Sequence, residues 1–158
     1  MGKLPTEPFE EFPTSTYFWG HPSVISTEQF KLYSGICDII IKASGTDIGD
    51  GLGRVGSKPT VDNDLVSFNG KFPECRETFY FPRVSEDIEF LTPDHMGNFF
   101  RFCETGGKNY DLLVGACLEA AVYCGLILEY GREEGPVPTN LLWESVKQHL
   151  DKGENDAN

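Results

Sequence analysis

The chain has 158 residues, of which 39% are hydrophobic, and its formal net charge is -12. This length suits one domain with a substantial core. The acidity argues against the basic surface with which proteins neutralise nucleic-acid phosphates, so the composition predicts no nucleic-acid partner. Two explanations of the acidity stay open, namely solubility and a protein partner with a basic surface.

The composition along the chain predicts three parts. Residues 1–20 begin with a Pro- and Glu-rich stretch and are predicted to form an extended N-terminal arm. A single domain follows at 21–150, and 151–158 is predicted to be a flexible acidic tail. Residues 1–11 contain two prolines and no apolar segment, which is not the pattern of a secretory leader.

The cysteines and histidines predict neither disulfides nor a metal site. None of the five cysteines forms a CxxC pair, and Cys37, Cys117 and Cys124 lie in apolar stretches, as small core residues do in a reducing cytoplasm. Three scattered histidines without HxH or HxxxH spacing do not predict zinc. We therefore expect a cytoplasmic protein with five free thiols and no metal or cofactor.

The first predicted helix begins at Ser26. Gln29 completes a capping box with this serine, and Gly45 is a plausible end. The run Ile39–Ile41 suits a buried strand equally well, but the apolar spacing along the segment favours a helix.

Three strand-like segments follow a loop at 45–64. They share a high content of aromatic residues and lie at 65–69, 78–83 and 99–103. In the second, Phe79 and Phe81 alternate with Tyr80, which places the two phenylalanines on one face. Such segments suit an antiparallel meander of about three to four strands packed on a helix.

The central helix is predicted over 109–131. Asn109 is a candidate N-cap, and Gly131 is the expected stop. Its apolar residues follow helical spacing, at Leu113, Val114, Cys117, Ala121, Cys124 and Leu128. A membrane span is disfavoured because the apolar run is shorter than the roughly 20 residues that a bilayer requires, and Glu119 lies near its centre.

A final helix is predicted from about Thr139, as its N-cap, to Leu150. Its buried stripe comprises Leu142, Trp143, Val146 and Leu150. The predicted fold class is therefore α+β, with an antiparallel sheet on a long buried helix and two further helices.

A glycine-rich loop carries the first candidate site. Gly51, Gly53 and Gly56 match GxGxxG, but no convincing strand is predicted before them and Ser57-Lys58-Pro59 follows in place of a helix, so a dinucleotide site is not indicated. The glycine amides of this loop, with Arg54, remain candidates for holding a small anion. An ordinary flexible loop is the alternative.

Two arginines beside aromatic strands complete the candidate ligand site. Arg83 and Arg101 could form a basic and aromatic platform for an acidic or planar ligand. Ion pairs across the solvent-facing side of the sheet are the alternative. The candidate ligand-binding residues are thus Gly51, Gly53, Arg54, Arg83 and Arg101.

No catalytic residue is predicted. Cys103 and His95 are a candidate nucleophile and base, but catalysis requires the imidazole to reach the sulfur, and the spacing does not ensure this. Cysteine at a strand end is commonly structural.

The motif order NDLVSFNG, ETFYFPR, FFRFCETGGKNYDLLVGACLEAA resembles a group of small uncharacterised phage and bacterial proteins. That group has an I-S-F-N-G strand, an E-T-F strand and an F-C-K-T…P-Y-D entry into a helix. The similarity covers about 49–121, and Glu104 and Asn109 stand where the group has Lys and Pro. The resemblance implies a phage or bacterial cytoplasmic origin and supplies no catalytic residue.

These observations favour a non-enzymatic accessory protein that binds a host protein or a small anionic, nucleotide-like ligand. A small enzyme acting on a phosphorylated or nucleotide substrate is the first alternative. A phage structural or assembly protein is the second.

Overall fold

A computed structural model describes residues 15–85 and 92–157, with side chains described up to residue 153. The described part contains three helices and two antiparallel sheets, so the class is α+β as predicted. None of its helices combines the length and apolar character needed to cross a bilayer. Residues 1–14 of the predicted arm lie outside the described residues.

The strands form two sheets. The first consists, in spatial order, of β6 (Phe99–Glu104), β1 (Thr16–His21) and β7 (Tyr130–Arg132). In the second, one central strand, β4 (Leu65–Gly70), pairs with β2 (Ile48–Gly49), β3 (Thr60–Val61) and β5 (Phe79–Pro82).

The three strands that the sequence predicted are present as β4, β5 and β6, but they do not form one meander. β6 pairs with β1, with Thr16 opposite Glu104 and His21 opposite Phe99. Residue alternation defines the faces of a strand and not its neighbour, so this long-range pairing was not predictable. Part of the predicted arm is therefore the central strand of a sheet.

Helix α1 (Thr27–Ser44) confirms the predicted boundaries. The Ser26 hydroxyl accepts the N–H of Gln29 at 3.1 Å, and Gly45 ends the helix with a φ of 67°. The run Ile39–Ile41 is helical. Capping at both ends explains why this segment forms a helix and not a strand.

Helix α2 (Asp111–Tyr123) is the predicted central helix, but both predicted ends were wrong. Tyr110, not Asn109, is the N-cap residue, without a side-chain cap. The helix stops at Gly125, whose φ is 75°. The N–H of Leu126 donates to the carbonyl of Ala121 at 2.9 Å, which is a Schellman closure.

This early stop divides the predicted apolar stripe. Leu113, Val114, Cys117 and Ala121 are buried as predicted, whereas Leu128 is 78% exposed beyond the helix.

Helix α3 (Leu141–Ala157) continues into the predicted tail, and its N-cap is Asn140, one residue after the predicted Thr139. The Asn140 side chain accepts the N–H of Trp143 at 2.9 Å and donates to the Leu112 carbonyl at 3.1 Å. It therefore caps α3 and fastens it to α2. Trp143 and Val146 of the predicted stripe are buried.

Candidate functional site

The outer surface of the first sheet carries exposed phenylalanines. Inward-pointing residues such as Trp19 and Cys103 are buried, and alternation turns their neighbours outward. Phe100 is 62% exposed and Phe102 is 54% exposed, while Phe18 on β1 is half-buried.

These three outward phenylalanines form one continuous surface, which we call the aromatic face. The ring centroids of Phe18 and Phe100 lie 6.2 Å apart, and those of Phe100 and Phe102 lie 6.0 Å apart. A Cβ atom on Gly131 would lie 2.6 Å from the Phe18 ring, so this glycine of β7 allows the ring to lie against the sheet.

A cleft of about 640 Å³ opens beside the aromatic face. It is lined by residues from β1, β6, β7 and the segments next to them, namely Phe18, Trp19, Gly20, Thr92, Asp94, Asn98, Phe100, Glu129, Tyr130 and Gly131. Two glycines and two outward phenylalanines give it an open, largely apolar wall. Its formal charges come from two carboxylates.

The first carboxylate, Asp94, is held in place by a turn. One of its oxygens, Oδ1, accepts the backbone N–H of Met96 at 2.8 Å and that of Asn98 at 3.0 Å. These bonds stabilise the charged form and hold the pKa of Asp94 below its usual value. Asp94 is therefore ionised at neutral pH.

The second carboxylate, Glu129, is exposed and lies next to β7. Within residues 15–85 and 92–157, no Lys or Arg forms an ion pair with either Asp94 or Glu129. The cleft thus presents two negative charges beside aromatic rings.

The glycine loop of the sequence analysis contacts its own aspartate. Asp50 accepts the backbone N–H of Leu52 at 3.1 Å and the Nε–H of Arg54 at 2.7 Å. The bond from Arg54 is the main reason why the pKa of Asp50 is lowered to about 2. This carboxylate already occupies donors that the predicted anion site would have used.

Gly51 and Gly53 have packing roles. The Gly51 carbonyl accepts the Asn69 amide at 3.2 Å. Gly53 has a φ of 68°, and a Cβ there would lie 2.6 Å from the Gly70 carbonyl oxygen. The glycines therefore hold the loop against the end of β4.

Arg83 and Arg101 both lie near Tyr80. Arg83 donates to Asp64 at 2.9 Å and lines a shallow depression with Tyr80. The Arg101 guanidinium lies 5.6 Å from the Tyr80 ring centroid. Arg83 thus fits the ion-pair alternative, whereas Arg101 forms the predicted contact with an aromatic ring.

The predicted ligand site is not one assembly in the described residues. No hydrogen bond, ion pair or ring contact there joins the glycine loop to Arg83 or Arg101. Neither the cleft nor the Tyr80 depression is lined by the loop.

The nucleophile candidate has unfavourable surroundings. Cys103 is fully buried, and burial raises the pKa of its thiol far above the usual value, which opposes thiolate formation. In the described part of the chain, no three His, Cys, Asp or Glu side chains come together as possible metal ligands.

No protein-family model matches the chain, and the comparisons with curated proteins and with solved structures give no match. The cleft residues were missed in the sequence because they are distant along the chain. Phe18, Phe100 and Gly131 meet only through the pairing of β1 with β6 and β7. The alternation in β6 was visible, but it did not indicate which face is exposed.

Proposed function

We propose that this chain is a non-enzymatic accessory protein, of phage or bacterial origin, that binds a partner protein through the aromatic face. The observation that carries the proposal is the contact between the exposed rings of Phe100 and Phe102. Single exposed apolar side chains are ordinary, but a contiguous group of them is typical of an interaction surface. Aromatic residues are also enriched at interfaces.

Charge favours a partner with a basic surface. The chain has a net charge of -12, and Asp94 and Glu129 lie beside the aromatic face. A second copy of the same chain would bring like charges together, whereas a basic surface would be attracted. The five free thiols support a cytoplasmic setting, since disulfides are rare there.

A small anionic ligand, and with it a small enzyme for phosphorylated substrates, has less support. Arg54 and Arg83 both have carboxylate partners, which compete with an incoming anion. A thermal-shift screen with inorganic phosphate and nucleotides tests this alternative, because a ligand that binds the folded state raises the melting temperature. An assembly role would use the same aromatic face.

The proposal is tested by comparing wild type with Phe102→Ser, which lies on the aromatic face but outside the cleft. Leu141→Ser is the matched control, since Leu141 is 75% exposed on α3. Each protein is purified from cells of the source organism, and its melting temperature is measured to check that it is folded. The proteins bound to it are then quantified by mass spectrometry.

We expect a partner that accompanies wild type and Leu141→Ser but is lost with Phe102→Ser. Retention of every bound protein by Phe102→Ser would contradict the proposal. Sedimentation velocity tests whether the partner is a second copy of the chain. A wild-type dimer that Phe102→Ser dissociates would assign the aromatic face to a second copy instead.

A further inference from the structure

The cleft includes two rings of the aromatic face and adds charged groups to them. Its outward rings, Phe18 and Phe100, present aromatic surface, and Gly131 allows the Phe18 ring to lie against the sheet. Asp94 and Glu129 supply its only formal charges among the residues that line it. Aromatic rings with nearby carboxylates attract cations, because the ring faces have a negative electrostatic potential and the carboxylates carry negative charge.

We infer that this cleft receives an arginine side chain of the partner protein. This inference rests on the proposed function and specifies what the partner must carry. A guanidinium is planar and weakly hydrated, so it can lie on a phenylalanine ring while its N–H groups donate to carboxylates. A lysine ammonium is a strongly hydrated point charge and makes poorer use of a flat ring.

The fixed geometry of Asp94 supports this assignment. Its Oδ1 atom is occupied by two backbone N–H groups of the turn, which orient the carboxylate beside the cleft. Both carboxylates lack an ion-pair partner within the described residues, so an incoming cation displaces no internal Lys or Arg.

The volume is also suitable. About 640 Å³ lies within the range of small-molecule sites, so the cleft accommodates one long side chain with its flanking backbone. The acetylated and amidated tripeptide Gly-Arg-Gly is therefore an adequate probe. The matched peptides carry lysine or citrulline, the latter being the uncharged counterpart of arginine.

The experiment is an NMR titration of the ¹⁵N-labelled chain with the three peptides. We expect the amide signals of Gly20 and Gly131 to shift with the arginine peptide, less with the lysine peptide and not with the citrulline peptide. Glu129→Gln and Asp94→Asn remove one charge each, and the second keeps the acceptor atom that the turn requires. Each should weaken binding by about tenfold, the effect of losing one charge-assisted hydrogen bond.

Glu133→Gln is the control, because Glu133 is exposed directly after β7 but does not line the cleft. The inference is overturned if the citrulline or lysine peptide binds as tightly as the arginine peptide. It is also overturned if Glu133→Gln weakens binding as much as Glu129→Gln, or if no shift occurs at the cleft. In those cases loss of the partner from Phe102→Ser would still uphold the proposed function, so the two failures are distinguishable.

Discussion

His21 donates its Nε2–H to the carbonyl oxygen of Pro82 at 2.8 Å and thereby joins the two sheets. The tautomer follows from Trp19, whose indole N–H can only donate and reaches His21 Nδ1 at 2.9 Å. The ring is fully buried and lies 4.4 Å from Phe81, centroid to centroid. Burial lowers the pKa of His21 to about 4.

This pKa predicts how stability depends on pH. Between about pH 6.5 and 4, the unfolded chain binds a proton at His21 that the folded chain does not bind. The neutral ring therefore makes its full contribution to stability above about pH 6.5. As the pH falls towards 4 this contribution is lost, and the free energy of unfolding falls by on the order of 3 kcal/mol.

Urea unfolding of wild type and His21→Gln at several pH values measures this effect. Because the many carboxylates also titrate, the quantity to compare is the difference between the two proteins. We expect that difference to shrink as the pH falls. The control is His149→Gln, at an exposed position, and the difference in unfolding free energy between this variant and wild type should not change with pH. A constant difference for His21→Gln would show that the ring is not buried in its neutral form.

The packing of α2 predicts an intolerance to larger side chains. Ala121 is fully buried, so Ala121→Phe should lower the free energy of unfolding by about 1–3 kcal/mol through overpacking. Leu112→Phe on the same helix is the control, because Leu112 is 49% exposed. Equal urea midpoints for the two variants would mean that α2 is not central to the core.

The glycine loop predicts unequal costs for two alanine substitutions. Gly53 and Gly56 both have positive φ, so Ala at either should cost about 1–2 kcal/mol of unfolding free energy from backbone strain. Only at Gly53 would the new Cβ also collide with the Gly70 carbonyl, whereas nothing lies within 4 Å at Gly56. Calorimetry should therefore find Gly53→Ala melting lower. Equal melting temperatures would contradict the close packing of this loop.

The cysteines predict a defined pattern of thiol reactivity. Five thiols should react in denaturant without reductant, because all five cysteines are free. In the folded protein, burial raises the pKa of Cys124 to about 11 and shields Cys37, Cys103 and Cys117. Cys75 should therefore react first with a thiol reagent, and Cys75→Ser should abolish the fast phase. Two fast thiols in wild type would contradict this burial.

Local signals in the sequence predicted much of the fold. The Ser26 cap and the Gly45 stop determine α1 through contacts within a few residues. At α2 the predicted stop, Gly131, was wrong, because Gly125 adopts the left-handed conformation that allows the Schellman hydrogen bond to form. The partner of β6 depends on contacts between distant residues, and no local pattern encodes it.

The candidate site was harder to predict than the helices. Arg54 was predicted to bind an anion because it lies among glycines, but Asp50 lies four residues away and pairs with it. The cleft contains ordinary residues, including Phe18 and Glu129, and becomes recognisable only when three strands bring them together.

The central claim is that the aromatic face contacts a partner protein. The most direct measurement places a photo-crosslinking amino acid at Phe102 and, as control, at Leu141, and irradiates cells of the source organism that contain each variant. We predict one crosslinked protein at position 102 that is missing at position 141. No product at 102, or the same products at both positions, would contradict the claim.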